Sequence, residues 1–247
     1  MRFLRLPFVV LLLIAAVAAS AATSAVSAAP ADEVWLSVEP ASPAVGATIN
    51  VRLMEGAPFA GAERTFAAGE ITRFQRLWKN GRRRLGGEEP APPAARFEAS
   101  TSPGVELVSL TTRRLKGDDS LPVTYFCKAM IVVGDGVSGD ALRYSELGHR
   151  LEIVLQTDPV KLAAGGGTVA AQVLFEREPL AGTVVHAVPA ADPTARRRGI
   201  TDEIGLIRFR LDRPGPWMLR VSHQTPCDDC KAPSERLQST LVLRSGG

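Results

Sequence analysis

Alternating apolar and polar residues recur along this 247-residue chain and limit the folds that it can adopt. In the first such run, Val34, Leu36 and Val38 share one face. Runs of the same kind cover residues 151–155, 169–175, 207–211, 217–223 and 237–243. Because successive side chains of a strand point to opposite faces, this period of two indicates strands with one buried side. Turn residues separate the runs, among them Asp158-Pro159, Gly165-Gly166-Gly167, Glu178-Pro179 and Arg213-Pro214-Gly215-Pro216. The sequence therefore predicts an all-β fold built from short strands.

The arrangement of the runs also predicts how the chain is divided. Those of the second half are typical of a β-sandwich of about seven strands. The segment Val123–Val133 is apolar on both faces, which indicates a central strand or a bent strand shared between two sheets. We expect an N-terminal β-rich domain over residues 30–143, with a Pro/Gly-rich loop near residues 80–96, and a C-terminal β-sandwich domain over residues 144–247.

The start of the chain has the parts of a secretory signal peptide. Arg2 and Arg5 are followed by an apolar core at residues 6–19 and by small residues, with Ala-x-Ala-like cleavage sites at residues 25–29. The core is shorter than the ~20 apolar residues that a spanning helix needs, so cleavage is favoured over a retained membrane anchor. We therefore predict a signal peptide over residues 1–29 and a periplasmic or secreted protein that does not span a membrane once it is processed.

Removal of this segment changes the charge of the protein. The whole chain has 29 Lys and Arg against 26 Asp and Glu, and removing Arg2 and Arg5 leaves 27 against 26. Two basic runs remain, at residues 82–84 and 196–198, beside Gly- or Pro-rich sequence and without interleaved aromatic residues. Such runs are typical of solvated loops, so we predict no nucleic-acid partner.

Three residues of metal-binding type lie close together near the C-terminus: His223, Cys227 and Cys230. Cys-x-x-Cys lets both sulfurs face one ion, and with an imidazole they suit zinc, nickel or copper. An oxidising compartment also allows a local Cys227–Cys230 disulfide, whereas a redox enzyme would need a βαβ context that this chain lacks. Metal binding and a structural disulfide both stay open. The third cysteine, Cys127, has apolar neighbours on its strand face and is predicted to be a buried, inert thiol.

The other histidines and the common catalytic motifs indicate no further site. His186, between Val184 and Val188, is predicted to be a satisfied histidine of a sandwich, and His149 a solvated residue of the turn between the domains. The sequence has no Gly-x-Ser-x-Gly, no Gly-x-x-x-x-Gly-Lys and no His-Glu-x-x-His. We therefore predict that the protein is not an enzyme.

An ordered set of segments carries a resemblance to a known family. They are Trp35-Leu36 ahead of Glu39-Pro40, residues 125–134 (Tyr-Phe-Cys-Lys-Ala-Met-Ile-Val-Val-Gly), residues 148–159 (Gly-His-Arg-Leu-Glu-Ile-Val-Leu-Gln-Thr-Asp-Pro), residues 173–182 (Val-Leu-Phe-Glu-Arg-Glu-Pro-Leu-Ala-Gly), Thr201-Asp202 with Gly205, and residues 214–223 (Pro-Gly-Pro-Trp-Met-Leu-Arg-Val-Ser-His). The set resembles the DUF4198 family of exported bacterial proteins, which are often described as periplasmic components related to nickel or cobalt uptake.

The resemblance implies two β-sandwich modules, immunoglobulin- or transthyretin-like, and a metal-related role. Members of the family often have a His just before the aromatic–Leu strand, where this chain has Asp32, a poorer match to nickel but a further candidate ligand. We therefore expect a periplasmic binding or accessory protein that handles a divalent transition metal (nickel, cobalt or zinc) for a membrane uptake system. The alternative is a structural or protein-interaction β-sandwich module with no metal role.

Overall fold

The computed structural model describes residues 33–65, 69–85, 95–114, 121–136, 146–227 and 231–246. The predicted signal peptide, Asp32, Cys230 and the predicted domain boundary at 143/144 lie outside these ranges. Within them the protein is all-β, as predicted, apart from one short helix and a 3-10 turn at Pro193–Ala195. No helix in the described ranges is long and apolar enough to cross a membrane.

The strands carry numbers in chain order. They are β1 Glu33–Glu39, β2 Thr48–Gly56, β3 Ala62–Glu63, β4 Ile71–Trp78, β5 Gly81–Arg84, β6 Ala95–Glu98, β7 Gly104–Arg114, β8 Val123–Val133, β9 Leu151–Leu155, β10 Gly167–Phe175, β11 Glu178–Pro179, β12 Val184–Pro189, β13 Arg197–Ile200, β14 Leu206–Leu211, β15 Gly215–Pro226 and β16 Ser234–Ser245. All five alternating runs of the second half lie in strands, which confirms the interpretation of their period.

The single α-helix of the described ranges, α1, covers Pro159–Gly165. It begins where the sequence predicts only a turn, at Asp158-Pro159. The Asp158 side chain accepts a hydrogen bond from the Val160 N–H at 3.0 Å, and Pro159 occupies the first turn. Asp is a preferred N-cap residue and Pro is favoured at the first helical position, so the same pair begins a helix as readily as a turn.

Eight strands form one sheet, the central sheet, in the order β13-β12-β15-β16-β8-β7-β4-β5. Its neighbours are antiparallel except β16 and β8, where residues 236–242 run parallel to residues 123–129. These two strands come from opposite halves of the chain, so the sheet is continuous across the predicted domain boundary. The number of separate modules therefore stays a prediction.

Two four-stranded sheets pack on the central sheet. The N-terminal sheet contains β1, β2, β3 and β6, and the C-terminal sheet contains β9, β10, β11 and β14. On β8, Tyr125, Cys127 and Ile131 belong to the core beneath the N-terminal sheet, whereas Phe126 and Met130 belong to the core beneath the C-terminal sheet. Because neighbouring residues of a strand point to opposite faces, the two small sheets lie on opposite sides of the central sheet. This explains why β8 is apolar on both faces and confirms it as a central strand.

Both basic runs lie at the edges of the central sheet, not in loops as predicted. Residues 82–84 belong to β5 and residues 197–198 to β13, the two outermost strands in the order above. An edge strand exposes unpaired backbone groups, and charged side chains there discourage pairing with other chains. A charged edge strand therefore has the composition of a solvated loop, which is why the sequence pattern misidentifies it.

Candidate functional site

A buried ion pair connects the two halves of the protein. Lys128 Nζ, on the central strand β8, donates to Glu152 Oε1, on β9 of the C-terminal sheet, at 2.8 Å. The two side chains are only 3 % and 2 % exposed. A buried pair of this kind is stable only when further hydrogen bonds satisfy its remaining polar atoms, because both charges have lost their water.

The loop that precedes β9 supplies those hydrogen bonds to Glu152. The backbone N–H groups of Leu147, Gly148 and His149 donate to its carboxylate at 2.8, 3.1 and 3.2 Å. Burial by itself raises the pKa of Glu152, but the charge and hydrogen bond of Lys128 outweigh it and hold that pKa below its ordinary value. Burial lowers the pKa of Lys128, although the negative charge and the hydrogen bond of Glu152 act to raise it. The carboxylate thus fixes residues 147–149 against the central sheet.

This loop carries His149 into the interior, where it is 3 % exposed. Its Nε2 lies 3.1 Å from Ser109 Oγ, and its ring stacks on Phe126 with centroids 5.1 Å apart. Burial lowers the pKa of His149 to about 4, so the ring is neutral at pH 7 even though Glu152 opposes the shift. The prediction of a solvated His149 is wrong, because the hydrogen bonds to Glu152 draw the turn inward.

His149 lines a pocket of about 530 Å³, here called the junction pocket. One side of it is built by β4, β7 and β8, and the other by the loop before β9, the turn after β10 and the ends of the β15–β16 hairpin. Its charged walls include Arg73, Arg113, Arg150 and Glu235. The volume lies within the ~300–1,000 Å³ that is usual for small-ligand sites.

Two arginines of the junction pocket have no ion pair with a carboxylate among the described residues. Arg113 Nη2 lies 3.9 Å from Cys227 Sγ, and its buried Nε has no hydrogen-bond partner within the described ranges. Arg73 Nη1 donates to the Leu147 carbonyl at 3.1 Å. The buried Nδ1 of His149 also lacks a partner in this part of the chain. Buried polar atoms are nearly always hydrogen-bonded, so Arg113 Nε and His149 Nδ1 are exceptions among the described residues.

The two carboxylates of the junction pocket, Glu235 and Glu176, share one arginine. Arg150 contacts the buried carboxylate of Glu235 through Nη1 and the exposed carboxylate of Glu176 through Nη2, the latter at 3.2 Å. Together with Arg73 and Arg113, the arginines of the wall outnumber these carboxylates by one positive charge. The junction pocket is therefore electrostatically suited to an anion.

The predicted metal ligands are only partly brought together. His223 lies on β15 against Phe175, with ring centroids 4.6 Å apart, and burial lowers its pKa. Cys227 follows the end of the same strand, is disulfide-bonded and lines the junction pocket. Four residues of extended strand place the two Cα atoms about 13 Å apart, whereas ligand atoms lie about 2 Å from a shared ion. In this disulfide-bonded state His223 and Cys227 do not fit a common metal centre.

Other described residues give no alternative metal centre: no group of three or more His, Cys, Asp or Glu side chains within the described ranges could hold an ion. Asp32 and Cys230, the remaining predicted ligands, lie outside those ranges. His186 is half-buried on β12, and its buried Nδ1 has no partner among the described residues, so its satisfaction by hydrogen bonds stays a prediction. Burial and the charges of Arg196 and Arg198 lower its pKa.

Cys127 behaves as predicted. It is a free, buried thiol whose Sγ lies 3.4 Å from the Val34 carbonyl. Burial raises its pKa to about 12, so the reactive thiolate is scarce at neutral pH.

Sequence reasoning does not single out Lys128 and Glu152, although a signal for them exists. Each is the one charged residue of its strand, Val123–Val133 and Leu151–Leu155, and both strands are otherwise largely apolar. A charge inside such a strand requires a partner. That each is the partner of the other cannot be read from the sequence, because the pairing depends on how two sheets pack.

Several solved structures resemble this chain distantly. A two-domain fibronectin type III segment of chicken tenascin is 14% identical, with 85% of this chain and 97% of that chain covered, at a TM-score of 0.27. The D0-D1 domain of intimin is 11% identical, with the same coverage of both chains and a TM-score of 0.23. The human OSCAR ligand-binding domain is 16% identical, with the same coverage and a TM-score of 0.22. Scores this low support no inference about this chain.

Comparison with curated proteins finds no match. A family profile described as "Domain of unknown function (DUF4198)", in contrast, matches residues 29–225, which is most of the chain and includes the loop 147–149, β8, β9 and nearly all of β15. The chain belongs to the DUF4198 family.

Proposed function

We propose that this protein is an exported, non-enzymatic binding protein that holds a small anionic ligand in the junction pocket. The observation that carries the proposal is the charge of the pocket wall: Arg73 and Arg113 line it, and neither has a carboxylate partner among the described residues. The apolar core and positive start of residues 1–29 support export to the periplasm or beyond.

The chemistry of the wall favours a carboxylate or phosphate group. A guanidinium donates two parallel hydrogen bonds to such a group, which fixes its orientation as well as its charge. The side chains of Thr111 and Thr124 line the same pocket and offer hydroxyl groups. The ring of His149 lies in the same wall with its Nε2 bonded to Ser109, and because the ring is neutral it neither repels nor attracts the ligand's charge.

Replacing Arg113 by Met is expected to weaken binding of the best-bound small anion about tenfold or more. Hydrogen bonds to charged groups contribute about 1.5–3 kcal/mol, and 1.4 kcal/mol corresponds to a factor of ten. The measurement is isothermal titration calorimetry of the mature protein with citrate, succinate and inorganic phosphate.

Arg208→Met on the exposed side of β14 is the matched control, because it removes the same charge far from the junction pocket. It should leave the affinity unchanged. If none of the three anions binds to the native protein, or if both variants weaken binding equally, the anion-binding role is refuted.

Transition-metal handling is a second candidate, favoured by one observation: Cys227 lies in the wall of the junction pocket, and Cys230 follows three residues later. Sulfur binds nickel, cobalt or zinc as thiolate, so a disulfide withholds it. In this role a membrane uptake system would be the partner, and Cys227 and Cys230 would serve as ligands after reduction. His223 would join them only if reduction also lets the end of β15 fold back toward it.

Only the reduced protein is therefore expected to bind nickel with micromolar affinity. The mature protein, with and without a thiol reductant, would be equilibrated with Ni²⁺, and the bound metal measured by mass spectrometry after gel filtration. The double variant Cys227→Ser/Cys230→Ser should lose the metal, whereas Cys127→Ser should keep it. Absence of bound metal from the reduced native protein contradicts the metal role and favours the alternative, a structural or protein-interaction module.

A further inference from the structure

A second pocket, the edge groove, lies on the N-terminal half and is independent of the junction pocket. It is bounded by the β4–β5 hairpin of the central sheet, by β6 of the N-terminal sheet and by residues 99–105. Its volume is about 700 Å³, again within the range of ligand sites. The edge groove thus occupies the open side of the N-terminal sandwich, between the edges of two sheets.

The wall of the edge groove is held by an arginine between two aromatic rings. The guanidinium carbon of Arg76 lies 4.9 Å from the ring centroid of Trp78 and 4.4 Å from that of Phe97. Its Nε and Nη2 donate to the two carboxylate oxygens of Glu106 at 2.7 and 2.8 Å, and Nη1 donates to the Glu98 carbonyl at 2.9 Å. Stacking and bidentate pairing fix Arg76, so Trp78 and Phe97 are presented in a defined position.

Beyond Arg76, four more cations line the edge groove: Lys79, Arg83, Arg84 and Arg96. Within the described part of the chain none of the four forms an ion pair with a carboxylate. Glu98 is the one carboxylate among the described lining residues. The edge groove therefore carries an excess of positive charge that its own described residues do not neutralise.

Hydroxyl and amide groups stand beside these charges. Thr101 and Ser102 lie along one side of the edge groove, and Asn80 lies at the turn of the β4–β5 hairpin. The hydroxyl of the neighbouring Ser100 already donates to Glu106 Oε1 at 2.6 Å. Guanidinium groups recognise anionic groups, hydroxyl and amide groups recognise hydroxyls, and the aromatic side chains provide apolar contact for a ring face. An acidic oligosaccharide offers all three kinds of group on one chain.

We infer that the edge groove binds an acidic glycan through its carboxylate, sulfate or phosphate groups. Protection of exposed sheet edges explains the charges on β5 and Arg96 on β6, because both strands lie at an edge. It does not explain why Lys79 in the hairpin turn lines the same pocket, nor why Arg76 fixes two aromatic side chains there.

Trp78 gives the binding experiment its signal. Of the three tryptophans, Trp35 and Trp217 are fully buried, whereas Trp78 is partly exposed in the edge groove. Titration of the mature protein with oligogalacturonate should change the tryptophan fluorescence saturably, and Trp78→Phe should abolish that change. A fully methyl-esterified oligogalacturonate of the same length, which lacks the charge, should bind at least about tenfold more weakly. A second titration with heparin oligosaccharides, compared with the first, distinguishes recognition of sulfate groups from recognition of carboxylate groups.

The double variant Arg83→Gln/Arg96→Gln should weaken binding of the acidic glycan about tenfold or more, measured by calorimetry so that it does not depend on Trp78. Both residues are exposed, so the variant should keep the native melting temperature. Arg208→Gln/Arg210→Gln, two exposed residues of β14, is the control with the same change of net charge. The inference is overturned if neither acidic glycan binds, if the esterified chain binds equally well, or if the two double variants lose affinity to the same extent.

Discussion

The Glu152→Gln variant is expected to lose about 3–5 kcal/mol of unfolding free energy, the effect typical of breaking a buried ion pair. Two costs combine. Lys128 remains a buried ammonium group without its counter-charge, and the three backbone N–H groups of residues 147–149 lose a carboxylate that accepts from all of them. Urea unfolding followed by circular dichroism measures the loss of free energy, and a thermal melt should show a fall in melting temperature on the order of 10 °C.

Lys128→Met is the informative companion, because it removes the ammonium group but keeps the three N–H donors on Glu152. We expect it to destabilise the protein less than Glu152→Gln. The double variant should be more stable than the sum of the two single effects predicts, since each single change leaves a charge or polar group that the other removes. A Lys128→Met variant at least as destabilised as Glu152→Gln would contradict the assignment of the carboxylate as the group that fixes the loop.

The same pair predicts a dependence on pH. The pKa of Glu152 is lower in the folded protein than in the unfolded chain, so its contribution to stability is present above the ordinary carboxyl pKa and is lost as the pH falls through the folded value. The native protein should therefore lose stability in acid more steeply than Glu152→Gln, which has no carboxyl group to protonate at this position.

Division of the chain at the predicted boundary is expected to reduce stability more than Glu152→Gln does. Neither residues 30–143 nor residues 144–247 should fold alone. The central sheet passes through both fragments, and β8 would lose its parallel partner β16. The fragment 30–143 would also expose side chains that belong to the core beneath the C-terminal sheet, namely Leu77, Val105, Leu107, Phe126 and Met130. At about 1.5–3 kcal/mol each, their burial accounts for roughly 8–15 kcal/mol, as much as a whole domain's stability.

The measurement is the circular dichroism melt of each fragment, with a mixture of the two as the control. The isolated fragments should show no cooperative transition, whereas the mixture should recover one if the fragments remain soluble. Calorimetry of the undivided chain over residues 30–247 should give one transition with a ratio of calorimetric to van't Hoff enthalpy of about 1. A cooperative transition in the fragment 30–143 by itself would show instead that the halves are separate domains.

The sequence was sufficient for the features that depend on local pattern. Alternation in β9, β14 and β15 predicts those strands, because burial of one face imposes a period of two within a few residues. The same reasoning finds β8 as a central strand and Cys127 as a buried thiol. Prediction from local pattern fails where the same residues are typical of two structures. The arginines of β5 and β13 are typical of a loop as well as of an edge strand, and Asp158-Pro159 is typical of a turn as well as of a helix start.

Tertiary structure alone decided what meets across the sheets. The parallel pairing of β16 with β8, the contact of Lys128 with Glu152 and the burial of His149 join segments whose separation along the chain carries no periodic signal. The sequence by itself determined that this protein consists of strands, which faces of them are apolar and which family the chain resembles. Both pockets depend on long-range packing instead: the edges of two sheets form one, and a loop drawn onto the central sheet by a buried carboxylate forms the other.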